Sequence, residues 1–143
     1  MLAPQYGRAL AGNGRAREAL AVFDLGLQHG KAQLEASAGE DAHAARRQAW
    51  LEVLRAGALA ELGRAEEAAA AAEAAALTLA GLAGRGRVGR DAQLALAEAH
   101  ELLSRLQPQR AREHRSAALA ALLAAQAQHR LGADHERLRA ALA

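Results

Sequence analysis

Residues 14–19 read Gly14-Arg15-Ala16-Arg17-Glu18-Ala19, and residues 63–68 read Gly63-Arg64-Ala65-Glu66-Glu67-Ala68. The agreement extends on both sides. Gly7-x6-Gly14-x3-Glu18-Ala19-x3-Phe23 lies beside Ala56-x6-Gly63-x3-Glu67-Ala68-x3-Ala72. A glycine suits the end of a helix because it takes up left-handed backbone without a Cβ clash. Carboxylates such as Glu66 and Glu67 suit the helix start that follows, where the unpaired N–H groups carry partial positive charge. The same helix–turn–helix grammar written twice predicts a chain built from repeated helical hairpins.

Outward from these turns, apolar spacing and the Gly and Pro breaks divide the chain into about seven helical stretches. A short first helix is expected at residues 4–11, with Pro4 where its missing N–H costs nothing. Gly12-Asn13-Gly14 turns the chain, and a second helix follows at residues 15–36 with Ala16, Leu20, Phe23, Leu27 and Leu34 on one face. After a loop at residues 37–41, Asp41 is placed to cap a third helix that reaches Leu62, with Leu51, Leu54, Ala58 and Leu62 as its stripe. Gly63-Arg64 is a tight turn, and a fourth helix ends near Ala80. Residues 81–90 hold four glycines and three arginines and read as a flexible connector. A fifth helix spans residues 91–106, Gln107-Pro108 ends it, and a sixth spans residues 110–131. Gly132 stops the sixth, and Asp134 is expected to cap a last short helix to Ala143. No stretch alternates with period two, so no strand is predicted and the class is all-α.

The turn pattern resembles the tetratricopeptide repeat. Gly7, Gly14 and Ala19, and again Ala56, Gly63 and Ala68, match the small residues that let the paired helices of that family pack closely. A weaker third copy reads Ala125-x6-Gly132-x3-Glu136, with Arg137 where alanine is expected. The two best copies lie 49 residues apart, against about 34 in the standard repeat. The resemblance is clearer in residues 1–80 and degenerate over residues 91–143. It implies an α-solenoid, one domain over residues 1–143, that binds protein or peptide on its concave face.

Composition narrows the function classes. Hydrophobic residues make up 52% of the chain but aromatics only 2%, so most of the apolar count is alanine. Alanine favours helix strongly and buries little area, which suits thin layers of closely packed helices. With Lys31 as the only lysine, the arginine and alanine bias suggests a GC-rich bacterial genome. The net charge of +2 is too small for an electrostatic nucleic-acid surface, so no nucleic-acid partner is expected. No uncharged apolar run of about 18 residues occurs, so no membrane span is expected, and the start of the chain lacks a secretory pattern. A cytoplasmic location is the default. Cysteine is absent, which removes disulfides and thiol chemistry.

Catalytic motifs are equally scarce. Gly84-Arg85-Gly86-Arg87-Val88-Gly89 spells a dinucleotide-binding glycine pattern, but that motif works only between a strand and a helix. His29, His43, His100, His114, His129 and His135 include no His-x3-His pair and are read as surface residues. No catalytic residue, metal site or cofactor is therefore expected, and the chain is not read as an enzyme.

Carried over from the family, the groove lining comes from the first helix of each repeat. This picks Arg8 in the first copy, Trp50, Val53 and Gly57 in the second, and Gln126, His129 and Arg130 in the third. Trp50 stands off the core stripe of its helix and is the leading anchor, since Trp and Arg dominate measured binding energies. The expected role is a protein- or peptide-binding adaptor or scaffold. The alternative is a regulatory segment of a larger bacterial signalling protein, a kinase or transcriptional regulator. An enzyme whose histidines converge only in the fold is a third class. The apolar ending Leu138, Ala140, Ala141, Leu142, Ala143 further suggests either self-association through a terminal helix or a place within a longer protein.

Overall fold

In the computed structural model, which describes residues 15–37, 41–128 and 131–143, six α-helices and one short 3₁₀ turn follow one another. They are α1 (Ala16–Ala36), α2 (Ala42–Glu61), α3 (Ala65–Leu82), α4 (Gly86–Leu106), the turn Pro108–Arg110, α5 (Ala111–Gln128) and α6 (Ala133–Leu142). The described residues contain no strand. The expected first helix at residues 4–11 and its turn lie outside the described residues, as do His129 and Arg130.

Each helix packs on its neighbours in sequence, and α2 also packs on α4. The reason lies in where each helix puts its small and large apolar residues. Phe23 and Ala19 of α1 meet Leu51 and Ala58 of α2 in one buried cluster. The other side of α2 supplies Ala49 and Val53 to a second cluster with Ala75 and Leu79 of α3 and Ala92, Ala95 and Ala99 of α4. A helix in the middle of such a stack buries two faces, so its apolar residues no longer form one stripe. Leu94 and Leu96 of α4 and Leu138 and Leu142 of α6 then pack around Ala97, Ala121 and Leu122.

The turn at Gly63 forms as its sequence implies. Gly63 has φ 78°, Arg64 N–H donates to Leu59 O at 2.9 Å and Gly63 N–H to Ala60 O at 3.1 Å. This is the Schellman arrangement, which pairs the otherwise orphaned last carbonyls of α2. Arg64 opens α3 at once, and its guanidinium forks onto Glu67 at 3.0 and 2.7 Å. Arg15 opens α1 with nearly the same backbone angles and forks onto Glu18. Asp41 caps α2 as expected, its Oδ1 accepting from Ala44 N–H at 3.0 Å.

Three expectations change. The ten-residue connector shrinks to Ala83, Gly84 and Arg85, because helix continues to Leu82 and restarts at Gly86. Val88 is buried in the core, and a Cβ at Gly89 would lie 2.5 Å from Ala83 O, so the second half of that segment is a packed helix start. Asp134 falls inside the first turn of α6, where it pairs with Arg137, while Gly132 occupies the cap position.

The third change concerns the repeat itself. Gly132 precedes α6 in extended backbone, with φ −73° and ψ 169°, unlike the turn glycine at Gly63. The segment that repeats the earlier turns is Arg110-Ala111-Arg112-Glu113, identical in type to Arg15-Ala16-Arg17-Glu18. Arg110 forks onto Glu113 at 3.2 and 2.9 Å, as Arg15 and Arg64 do on their glutamates. Buried positions correspond as well: Phe23, Ala72 and Ala118 are each at most 1% exposed. The helices α1, α3 and α5 are thus equivalent openings, and α2, α4 and α6 alternate with them.

Candidate functional site

Trp50 comes from the middle of α2 and Glu98 from the middle of α4, with His135 from the first turns of α6. Trp50 Nε1 donates to Glu98 Oε2 at 3.3 Å, while His135 Nε2 lies 3.3 Å from the other oxygen, Oε1. One carboxylate therefore ties an aromatic on one alternate helix to an imidazole on another. The three residues line a hollow of about 290 Å³ together with Arg46, Asp91, Leu94 and Ala95. Glu98 also borders a second hollow of about 220 Å³, where Leu54 and Gly57 of α2 face Leu102 and Arg105 of α4. The two hollows form a shallow cleft along α2 and α4, apolar at its base and charged at its edges.

Electrostatics at the edges are mixed. Arg105 pairs with Glu101 at 2.9 Å and Arg90 lies 3.7 Å from Asp91. The Nε of Arg46 is buried with no hydrogen-bond partner. On the opposite side of α2, burial raises the Glu52 carboxyl above its ordinary value, and Arg55 only partly offsets this.

The sequence-predicted residues divide sharply. Trp50 lines the cleft and also packs on the cluster beneath it, so it is half core and half surface. Gly57 lies half-buried at the cleft base, where an added Cβ would meet nothing within 4 Å. Val53 borders the second hollow and, only 5% exposed, also belongs to the α2–α3–α4 core, because α2 buries a second face beyond its single stripe. Gln126 is exposed on α5, the second helix of its unit, and lines neither hollow. Arg8, His129 and Arg130 lie outside the described residues. Asp91, Glu98 and His135 fall outside the sequence selection, which takes its third copy from Gly132; a copy taken from Arg110 instead groups α4 and α6 with α2 as the alternate helices.

The histidines are not all surface residues. His114 is 4% exposed, and its Nδ1 stands 3.0 Å from His100 Nδ1. Burial lowers the pKa of both imidazoles; His114 and Arg110 lower His100 further and Arg110 lowers His114, while Glu113 raises both and Glu73 raises His114 without reversing the shift. Among the described residues no group of three or more His, Asp or Glu is placed to hold a metal ion. The Gly84–Gly89 pattern runs from the junction after α3 into the first turn of α4, without the strand a dinucleotide site needs. Among the described residues, no helix is long and apolar enough to cross a membrane. No family model, curated protein or solved structure matches the chain.

Proposed function

We propose that the chain is a tetratricopeptide-like repeat module, an α-solenoid that holds a protein or peptide segment in the cleft along α2, α4 and α6, with Trp50 as the anchor. The observation that carries this reading is the Trp50–Glu98–His135 arrangement. Alternate helices of a hairpin stack each contribute to one cleft, as the inner helices of a solenoid do. An aromatic held by its N–H on a carboxylate offers a large, ordered contact surface at low entropic cost. The contact between α2 and α4 across α3 also supports the solenoid reading.

The test is capture of partners from a native lysate by the whole chain, its Trp50→Ala variant and a Leu77→Ser control. Leu77 is 78% exposed on α3, outside the cleft. A specific partner retained by the wild type and the control but lost by Trp50→Ala, with helix content unchanged by circular dichroism, is the expected result. Equal retention by all three would remove the cleft from the argument.

A further inference from the structure

His114 stands where the two earlier copies hold alanine. Counting four residues on from Arg15, Arg64 and Arg110 gives Ala19, Ala68 and His114, of which both alanines are fully buried. An imidazole buried where the other copies bury a methyl group needs partners for both nitrogens. It does so across three elements. His114 Nε2 lies 2.9 Å from Gln107 Oε1, and Gln107 Nε2 donates to Glu73 Oε1 of α3 at 2.5 Å. His114 Nδ1 meets His100 Nδ1 of α4 at 3.0 Å.

The direction of this chain is fixed by what each group can do. A carboxylate only accepts, so the Gln107 amide turns its NH₂ to Glu73 and its oxygen to His114. His114 Nε2 must then carry a hydrogen, and in the neutral ring its Nδ1 is bare. His100 Nδ1 carries the hydrogen between them, which leaves His100 Nε2 as the bare atom. The ring centroids are 5.3 Å apart with planes 30° from parallel. That separation equals the Nδ1···Nδ1 distance plus a ring radius at each end, so the imidazoles meet end to end. Ring nitrogens facing each other at 3.0 Å leave room for a hydrogen and not for a metal ion.

We propose that His100 and His114 form a proton-operated latch between α4 and α5, closed while one Nδ1 is bare and released when both rings are protonated. The first added proton goes to His100 Nε2 and leaves the Nδ1–H···Nδ1 bond intact. The second puts hydrogens on both facing nitrogens, and the rings must part. The charged groups facing the pair are Arg110 and Glu113 at the start of α5 and Glu73 on α3. Arg110 opposes the second proton; Glu113 and Glu73 favour it, but Glu113 is engaged by Arg110 and Glu73 by the Gln107 amide. Because His114 is almost wholly enclosed, a second charge there is relieved only by moving α5 away.

Amide hydrogen exchange on the full chain at about pH 7.5 and about pH 5, corrected for intrinsic rates, tests this with imidazole nitrogen NMR. Protection in α5 should fall on acidification, about tenfold for each pKa unit by which the fold holds the second proton off, while α1 and the start of α2 change little. At the higher pH His114 should be the Nε2–H tautomer. His100→Gln should keep α5 protected and abolish the acid response, because its amide can turn to suit either state of His114 Nδ1. His114→Ala, the residue of the other two copies, should abolish the response too; if it fails to fold, His100→Gln alone decides. Equal protection of wild-type α5 at both pH values, an acid response undiminished in His100→Gln, or an Nδ1–H tautomer of His114 would each overturn the proposal.

Discussion

The turn between α2 and α3 and the turn between α4 and α5 do the same work with different chemistry. The first uses Gly63 in left-handed backbone, an Arg64–Glu67 fork and a fully buried Ala68. The second replaces the glycine turn with Gln107 and a 3₁₀ turn at Pro108–Arg110, keeps the fork as Arg110–Glu113, and buries His114 where alanine stood. One closes the helices by removing atoms from their contact. The other fills the contact with a polar side chain and satisfies it through Gln107, His100 and Glu73. A close approach made by small residues is insensitive to pH; one made by a histidine chain is not.

The largest expected effect breaks the first turn. Ala68→Leu forces a larger side chain into a contact with no free space and should cost about 1–3 kcal/mol in chemical denaturation. A smaller loss would mean that α2 and α3 can spread at low cost. In the second turn, His114→Ala strips Gln107 and His100 of a partner and should cost a comparable or smaller amount, about 1–3 kcal/mol at neutral pH.

The pH dependence of the wild type sharpens the same contrast. Both imidazoles have folded pKa values lowered by burial, so the folded state resists protons that the unfolded chain accepts near 6.5. Their contribution is complete above about pH 6.5 and is lost as pH falls toward the lowered folded values. Glu52, raised by burial, works in the opposite direction nearer to 4.5. Unfolding midpoints should therefore drop between about pH 7.5 and about pH 5.5 in the wild type, and drop less in His114→Ala. Identical slopes for the two proteins would detach the pH dependence from the pair.

Glycine substitutions should differ in sign. Gly63→Ala places a Cβ at φ 78° and should cost about 1–2 kcal/mol. Gly57→Ala, inside α2 with open space around it, should instead gain about 0.5–1 kcal/mol while narrowing the cleft. Thermal melts of the two variants check both. The smallest effect belongs to the forks: Arg64 and Glu67 are exposed, and Arg64→Ala should shift the midpoint barely beyond error and less still in high salt.

Much of the fold was legible. The stripe of α1, the Asp41 cap, the Gly63 turn and the break at Pro108 follow from local rules, because backbone conformation and capping depend on residues close in sequence. The phase of the later repeat was also written in the chain, as Arg110-Ala111-Arg112-Glu113, but the missing glycine hid it and Gly132 drew the reading away. Trp50 stood out by its position off the core stripe and does line the cleft.

Composition and periodicity alone determined that this chain is helical, where most of its helices start and stop, and that small residues would set their spacing. Only the tertiary structure decided that Val53 belongs to the core, that the segment after Gly81 is largely packed helix, that Glu98 joins Trp50 to His135, and that His100 meets His114. Each of these depends on which second face a stacked helix buries and on which residue 14 to 48 positions away arrives opposite it. Local propensity carries no information about either, because burial of a second face is a property of the neighbour and not of the helix itself.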